Sequence, residues 1–418
     1  MPSSLLPPGA VKPDYHGYCL PNVPTTIMSI LGVDHRRPVL PKDAFGDVDT
    51  SGVDNVILLL CDGFGYNEWM RQSGRGLVRR ISEKGSVRPI TTIFPSTTAA
   101  AITTVTTGLT PQEHGLPEWY VYFDEVGGVV VTLPFIRVGD KGRDTLADEL
   151  SPRVLYDGET VFHQLRGAGV GTTSMTSRML AYSAYSGVTT AGSTVVPYNT
   201  ASDLSVSLRR LVEQSRGKNY FYAYWSLVDT IEHIYGPATD ESLVEASLIS
   251  HALQEGFLSK LSREAAKRTL LIITADHGQL QVDLSKIVYM NRWRKLTGAF
   301  ERSRSGEAIP PWGSARDSYI RVRKQDIGAT TEYLRKKLEG VATVMTTEEG
   351  IGMGLFGINR PTKRFRRRVG DIMILPHDAN TVWYDYGVDP LKLKGHHGGL
   401  TRDEMTIPLA AARVSDLL

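Results

Sequence analysis

The sequence predicts an α/β fold: a doubly wound, mostly parallel sheet flanked by helices, carrying a small α+β insert. Three observations predict it. Short apolar runs without polar alternation recur along the chain, as in strands covered on both faces. Stretches with apolar residues at helical spacing separate them. A region rich in arginine and lysine, from residue 286 to 369, interrupts that alternation. The length of 418 residues suits one large domain with an insert.

In chain order, Val56–Cys61 (VILLLC) is the first buried strand. Phe94-Pro95 closes an extended stretch, and the alanine-rich sequence that follows opens a helix running to about Thr107, before Gly108. Ser202–Gln214 carries Leu204, Leu208, Leu211 and Val212 on one helical face, and Tyr220–Trp225 (YFYAYW) is the next buried strand. Asp240–Leu261 reads as a long helix and Thr269–Thr274 (TLLIIT) as a strand. The insert has its own strand–helix–strand pattern, Ser318–Val322, Thr331–Leu338 and Val341–Met345, after Pro310-Pro311. The run Asp371–Leu375 then resumes the sheet, so the core is expected to span 1–285 and 370–418 around an insert at 286–369.

Composition excludes several classes. Hydrophobic residues make up 41%, which rules out a disordered or fibrous chain. Lys+Arg 47 against Asp+Glu 45 leaves +2, so bulk charge demands neither nucleic acid nor an anionic membrane. Cys19 and Cys61 allow one disulfide at most and no CxxC zinc module. The first residues carry no basic start and no apolar core of a leader, and no apolar run approaches the ~20 residues that span a bilayer. The expectation is a cytoplasmic protein with no membrane partner.

Several polar segments follow buried strands or open helices, where ligands of open α/β sheets bind. Asp62-Gly63 follows the first strand; a plain turn is the alternative. In Phe94-Pro95-Ser96-Thr97-Thr98-Ala99-Ala100-Ala101, a hydroxyl at the helix start is either a cap or a nucleophile held where backbone N–H groups favour an anion. Asp229 and His233 stand at i and i+4, the spacing for a shared cation if the segment is helical. Asp276-His277-Gly278 ends the strand Thr269–Thr274, and Gly395-His396-His397-Gly398-Gly399 brings further histidine between glycines. Mixed Asp/His ligation suits zinc or a similar transition metal, and a two-metal site suits phosphoryl transfer.

Together the segments CDGFG, FPSTTAAAITTVTTGLTPQEHG, VDTIEHIYGP, TADHG and GHHGGLTRDEM resemble the alkaline phosphatase superfamily, and within it the type I phosphodiesterases or nucleotide pyrophosphatase/phosphodiesterases. The resemblance runs from about Asp54 to Pro408, with the insert matched only in position. It implies two divalent metal ions, zinc first, with manganese or another transition metal as alternatives. Asp229, His233 and His397 would hold one; Asp62, Asp276 and His277 would hold the other. The family nucleophile lies ten residues before the glycine of TG and four after the Phe of FP, which assigns it to Thr98, also a metal ligand, and leaves Ser96 and Thr97 as turn and cap residues. The implied reaction is hydrolysis of a phosphodiester or pyrophosphate bond through a phosphothreonine, with a small, nucleotide-like diester as substrate and no specific binding of nucleic acid. The alternative is a phosphomonoesterase, phosphonate hydrolase or phosphotransferase on the same site; a metal-stabilised binding protein is a third reading, opposed by the intact hydroxyl at position 98.

One departure stands out. The family's nucleotide diesterases carry an asparagine after the nucleophile that contacts a phosphate oxygen, and Ala99–Ala101 offers none. Backbone N–H near Thr98–Ala99, another side chain or water would have to serve. Trp119, Tyr120 and Tyr122 can form an aromatic wall for a leaving group or base, or simply pack. His114 reads as a structural loop histidine, His396 as the non-ligating neighbour of His397, and Cys61 as a small core residue. Arg360–Arg368 (RPTKRFRRR) reads as a solvated basic face, with attraction of a polyanion as the alternative.

Overall fold

The computed structural model describes residues 5–388 and 391–418. Fourteen strands within them form two seven-stranded sheets. They are β1 (Asn55–Cys61), β2 (Ser86–Thr91), β3 (Tyr120–Phe123), β4 (Gly128–Val131), β5 (Ile136–Arg137), β6 (Gly171–Ser177), β7 (Thr194–Tyr198), β8 (Asn219–Trp225), β9 (Thr269–Thr274), β10 (Trp312–Gly313), β11 (Ser318–Ile320), β12 (Ala342–Thr346), β13 (Ile372–Pro376) and β14 (Thr406–Arg413).

The main sheet has the order β2-β14-β9-β1-β8-β6-β7. Its five strands from β9 to β7 run parallel, and β14 and β2 close one edge antiparallel. Every residue of β1 and β9 is buried, as their unalternating apolar sequence requires. Helices cover the sheet, among them Ala201–Gln214 and Asp240–Ala252. The latter ends before the expected Leu261: the chain widens into a π turn over Leu253–Phe257 and then tightens over Leu258–Lys260. Apolar spacing continues through these turns, which is why it reads as one helix in sequence.

The second sheet, β12-β13-β11-β10-β3-β4-β5, is antiparallel throughout and corrects the expected domain plan. The insert is not confined to 286–369. The strands β3 to β5 come from residues 120–137, and β13, expected to resume the main sheet, pairs with β12 and β11 instead. An unalternating apolar run says that both faces are covered, not in which sheet. On β13, Met373 and Leu375 pack with Phe356 and Phe365, while Ile372 and Ile374 pack with Leu334 and Val344.

The basic run is also more structural than a solvated face. In the helix Lys363–Arg368, Arg364 Nε reaches Asp157 at 2.9 Å, and Arg366 pairs with Glu348. Arg368 is 2% exposed and donates to the carbonyls of Gly115 at 2.9 Å and Val154 at 2.7 Å. Burial pulls its guanidinium down to about 9. Among the described residues no helix is long and apolar enough to cross a membrane.

A buried ion pair fastens the two sheets' connections together. Arg316, between β10 and β11, meets Glu404, just before β14, through Nε–Oε1 at 2.9 Å and Nη2–Oε2 at 3.1 Å. Both side chains are wholly buried. Glu404 also accepts the backbone N–H of Gly399 at 2.9 Å and of Thr401 at 3.2 Å. Removing one member strands a buried charge. Arg316→Met is predicted to cost about 3–5 kcal/mol, read from guanidinium unfolding, and the double change Arg316→Met/Glu404→Met clearly less.

Candidate active site

The strands β9, β1 and β8 are parallel neighbours, so their carboxyl ends share one edge of the sheet. Asp62 follows β1, and Asp276-His277 follow β9 after one residue. After β8 the chain turns into the helix Leu227–Tyr235, which carries Asp229 and His233 on one face. Gly63 makes this convergence possible. Its φ is +72°, and a Cβ there would lie 2.8 Å from Asp229 Cα. His397 arrives from the other end of the chain, just after a two-residue ribbon strand, Gly395–His396, paired with Leu280–Gln281.

Two clusters result. Ligand-type atoms of Asp229, His233 and His397 lie within 4.8 Å of one another, as do those of Asp62, Asp276 and His277. In the first, His233 Nε2 is 3.3 Å from Asp229 Oδ1 and 3.3 Å from His397 Nε2, and His397 Nε2 is 3.7 Å from Asp229 Oδ1. In the second, His277 Nε2 is 3.2 Å from Asp276 Oδ2 and 3.5 Å from Asp62 Oδ1. The His277 and His397 rings stack at 3.6 Å and join the clusters.

The histidine protons can be assigned. Each Nδ1 faces a backbone carbonyl: His233 to Gly395 at 2.7 Å, His397 to Ser96 at 2.9 Å, His277 to Gly278 at 3.2 Å. A carbonyl only accepts, so Nδ1 carries the proton and Nε2 presents a lone pair. His233 and His397 then turn two lone pairs toward each other. Burial and the neighbouring imidazole cations that would form hold His277 down to about 3, and the same causes push His397 well below its ordinary range. Burial, followed by the neighbouring carboxylate charges, pushes Asp62 well up; burial raises Asp276 too.

This chemistry fits cations. Asp62 Oδ1 and Asp276 Oδ2 are buried without a hydrogen-bond partner. The opposite oxygens are taken, Asp62 Oδ2 by the Tyr224 hydroxyl and Asp276 Oδ1 by the N–H groups of Gly63 and His277. A tetrahedral zinc with bonds of about 2.0–2.1 Å sets its ligand atoms about 3.3 Å apart, close to the 3.2–3.7 Å separations given above. The clusters differ in access: Asp62, Asp276 and His277 are buried, whereas Asp229, His233 and His397 are partly exposed.

Thr98 is the first residue of the helix Thr98–Thr107, with Thr97 at the cap position. Its Oγ1 is 3.1 Å from His277 Nε2. Ala99 is wholly buried, in the first turn of that helix. Ser96 does more than turn the chain. Its hydroxyl donates to Gly399 O at 2.8 Å and accepts from Gly398 N at 3.1 Å, and its carbonyl holds His397.

A cavity of about 330 Å³ opens over Thr98, Asp229, His233 and His397. Trp119, Tyr120 and Trp383 line it, with Lys392 as a cation. Tyr122 does not; this corrects the expected wall. It stands two residues along β3 from Tyr120, against Trp312 and under Arg321. His396 turns its Nε2 to Leu393 O at 3.1 Å. His114 is buried and remote, bonded to Thr104 Oγ1 at 3.1 Å. Cys61 is buried and free. Sequence reasoning missed Tyr224, Gln279, Trp383 and Lys392; only Gln279 carried a signal, its place one residue past His277-Gly278.

The chain matches the family model of type I phosphodiesterase / nucleotide pyrophosphatase over residues 56–400. It belongs to that family. The family lies in the alkaline phosphatase superfamily and consists of phosphoric-ester hydrolases, and the protein is an enzyme of that class. No curated protein matches it by sequence. Among solved structures, murine ectonucleotide pyrophosphatase / phosphodiesterase 5 is similar at TM-score 0.62 and 17% identity, covering 85% of this chain and 87% of its own. An inactive variant of that murine protein, in complex with AMP, is similar at TM-score 0.63 and 16% identity, over 85% of this chain and 87% of its own. Phosphonoacetate hydrolase from Sinorhizobium meliloti 1021, in complex with phosphonoformate, is similar at TM-score 0.62 and 16% identity, over 92% of this chain and 96% of its own. Likeness at these identities speaks to the fold.

Gly63→Ala is predicted to destabilise the protein by about 2 kcal/mol or more, because an L residue is strained there and its Cβ meets Asp229 backbone. Thermal unfolding checks this.

Proposed function

We propose that this enzyme is a two-cation phosphodiesterase that cleaves a phosphodiester or pyrophosphate bond through Thr98. The observation that carries the reading is the convergence of six ligand-type side chains, at metal-ligand spacing, around the hydroxyl of a residue that opens a helix. Asp229, His233 and His397 would hold one divalent cation and Asp62, Asp276 and His277 the other, with Thr98 between them. Zinc suits this donor set best. Such ions, when bound, polarise phosphoryl oxygens and favour the ionised form of a hydroxyl.

The rest is done by the chain. The fold holds Thr98 Oγ1 beside His277 and under the cavity, so a bound phosphoryl group meets it without search. The N–H groups of the first helical turn, Ala99 included, lack intrahelical partners, and the helix dipole favours an anion there. This supports a phosphate oxygen where the family's asparagine is missing. Attack by Oγ1, whose proton passes to water, forms the phosphothreonine ester as the leaving oxygen departs with its bonding electrons and takes up a proton; water then hydrolyses the ester, releasing the phosphoryl group and returning a proton to Oγ1. Trp119, Tyr120 and Trp383 give the leaving group an aromatic wall of the kind that accepts a nucleobase or aryl ring. A second reading, a phosphonate hydrolase on the same residues, is favoured by Lys392, which can meet a carboxylate, and by the coverage of the phosphonoacetate hydrolase.

Thr98→Ala should keep the fold and bound metal while hydrolysis of an aryl phosphodiester falls by about three orders of magnitude or more; an unchanged rate removes Thr98 from its role. Comparing diester, monoester and phosphonate turnover by the metal-loaded enzyme decides between the readings, and no turnover of any of them defeats both. Trp383→Ala should raise KM for a nucleotide or aryl diester about tenfold, consistent with about 1–1.5 kcal/mol of ring contact, and leave KM for a small phosphonate nearly unchanged.

A further inference from the structure

We propose that Tyr224 and Gln279 are positioning residues, each serving one cation site: Tyr224 fixes Asp62 and Gln279 fixes Asp229. The inference rests on the two-cation reading and adds which neighbour sustains which site.

The Tyr224 hydroxyl donates to Asp62 Oδ2, leaving Oδ1 turned toward His277. Tyr224 is the penultimate residue of β8, directly beside the end of β1, where Leu60 is its register partner. It is 7% exposed, so water does not compete for the carboxylate. The phenol is the donor, since a carboxylate oxygen only accepts. Gln279 works at the other site. Its Nε2 donates to Asp229 Oδ1, the oxygen that faces His233 and His397, and also to Asp229 O at 3.1 Å. The bond to the backbone and the bond to the side chain together fix both the helix start and the carboxylate. Gln279 is 6% exposed, and its Oε1 has no hydrogen-bond partner, so the Asp229 contacts are all that its amide makes.

Neither donor touches the other site's carboxylates. Bonds to ligating groups of this kind typically carry about ten- to a hundredfold in metal affinity. The two contributions should therefore separate by site.

The test uses the full chain and cobalt(II), whose visible absorption reports coordination, titrated against a chelator. His233→Ala leaves the buried site as the one reported; Asp276→Asn leaves the open one. Tyr224→Phe is expected to weaken cobalt about ten- to a hundredfold in the His233→Ala background and to leave the Asp276→Asn background unchanged. Gln279→Leu is expected to do the reverse. A merely structural role would lower the thermal transition and weaken both backgrounds alike. Equal effects in both, or none in either, overturn the assignment. Wild-type protein that takes up no cobalt overturns the two-cation reading and this inference with it, whereas uptake insensitive to both substitutions overturns this inference alone.

Discussion

The site depends on the register of three parallel strands. The strand β1 is paired residue for residue with β8 on one side and β9 on the other, so that Leu60 lies opposite both Tyr224 and Thr274. With the three strands ending level, Asp62, Asp276 and the helix that carries Asp229 emerge at one height. Shifting a strand by one residue would turn its side chains to the other face. The register is held by burial: β1, β9 and nearly all of β8 are covered on both faces, and any slip would expose aliphatic side chains or bury polar ones. Hydrophobic packing thus places Asp62 and Asp276 where water cannot screen them, beside the partly exposed Asp229, at a cost that only a compensating charge offsets.

The remaining residue of the clusters, His397, is not set by the main sheet. It is held from two directions. Ser96 grips its loop by four hydrogen bonds and stands two residues before Thr98, so Thr98 and the histidine are tied together. From the other side the second sheet braces the same loop. A Cβ on Gly398 would lie 2.6 Å from Ser314 Oγ and 2.7 Å from Asp317 Oδ1, which leaves room for glycine alone. Arg316 locks the segment through Glu404. The second sheet is therefore part of the site's support as well as a wall of its cavity.

Much of this was legible in the sequence because local chemistry announces it. Buried strands show as VILLLC and TLLIIT, and polar residues at their ends show where a parallel sheet places ligands. Thr98, Asp229 and His277 could be found by pattern and by resemblance. What the sequence hid was pairing over long distance. The run IMIL at β13 looks the same whichever sheet receives it, and residues 120–137 join strands nearly two hundred positions later. Trp383 lines the cavity from a two-residue strand paired with Val288–Tyr289, nearly a hundred positions earlier. Tyr122 has the composition of a wall residue but sits one pleat too far along its strand. Tyr224 reads as one more aromatic in a buried strand, and only the fold gives its hydroxyl a carboxylate to hold.

Charge counting narrows the substrate that such a site can take. The two clusters hold three carboxylates and three imidazoles whose Nδ1 protons are committed to carbonyls, so the donors together carry −3. On the two-cation reading the ions would bring +4, leaving +1 with Thr98 as a neutral hydroxyl. A phosphodiester carries a single negative charge and closes that balance to zero, in a place where an uncompensated charge is costly. A monoester dianion overshoots it and would need a further cation. The described cavity lining contains no arginine, and Lys392 is the lysine in it. Four of the six basic residues of the run 360–368 are engaged elsewhere: Arg364, Arg366 and Arg367 pair with acids, and Arg368 is buried against carbonyls. The near-neutral sum over the chain is thus the average of an acidic pocket and of basic side chains held in the structure.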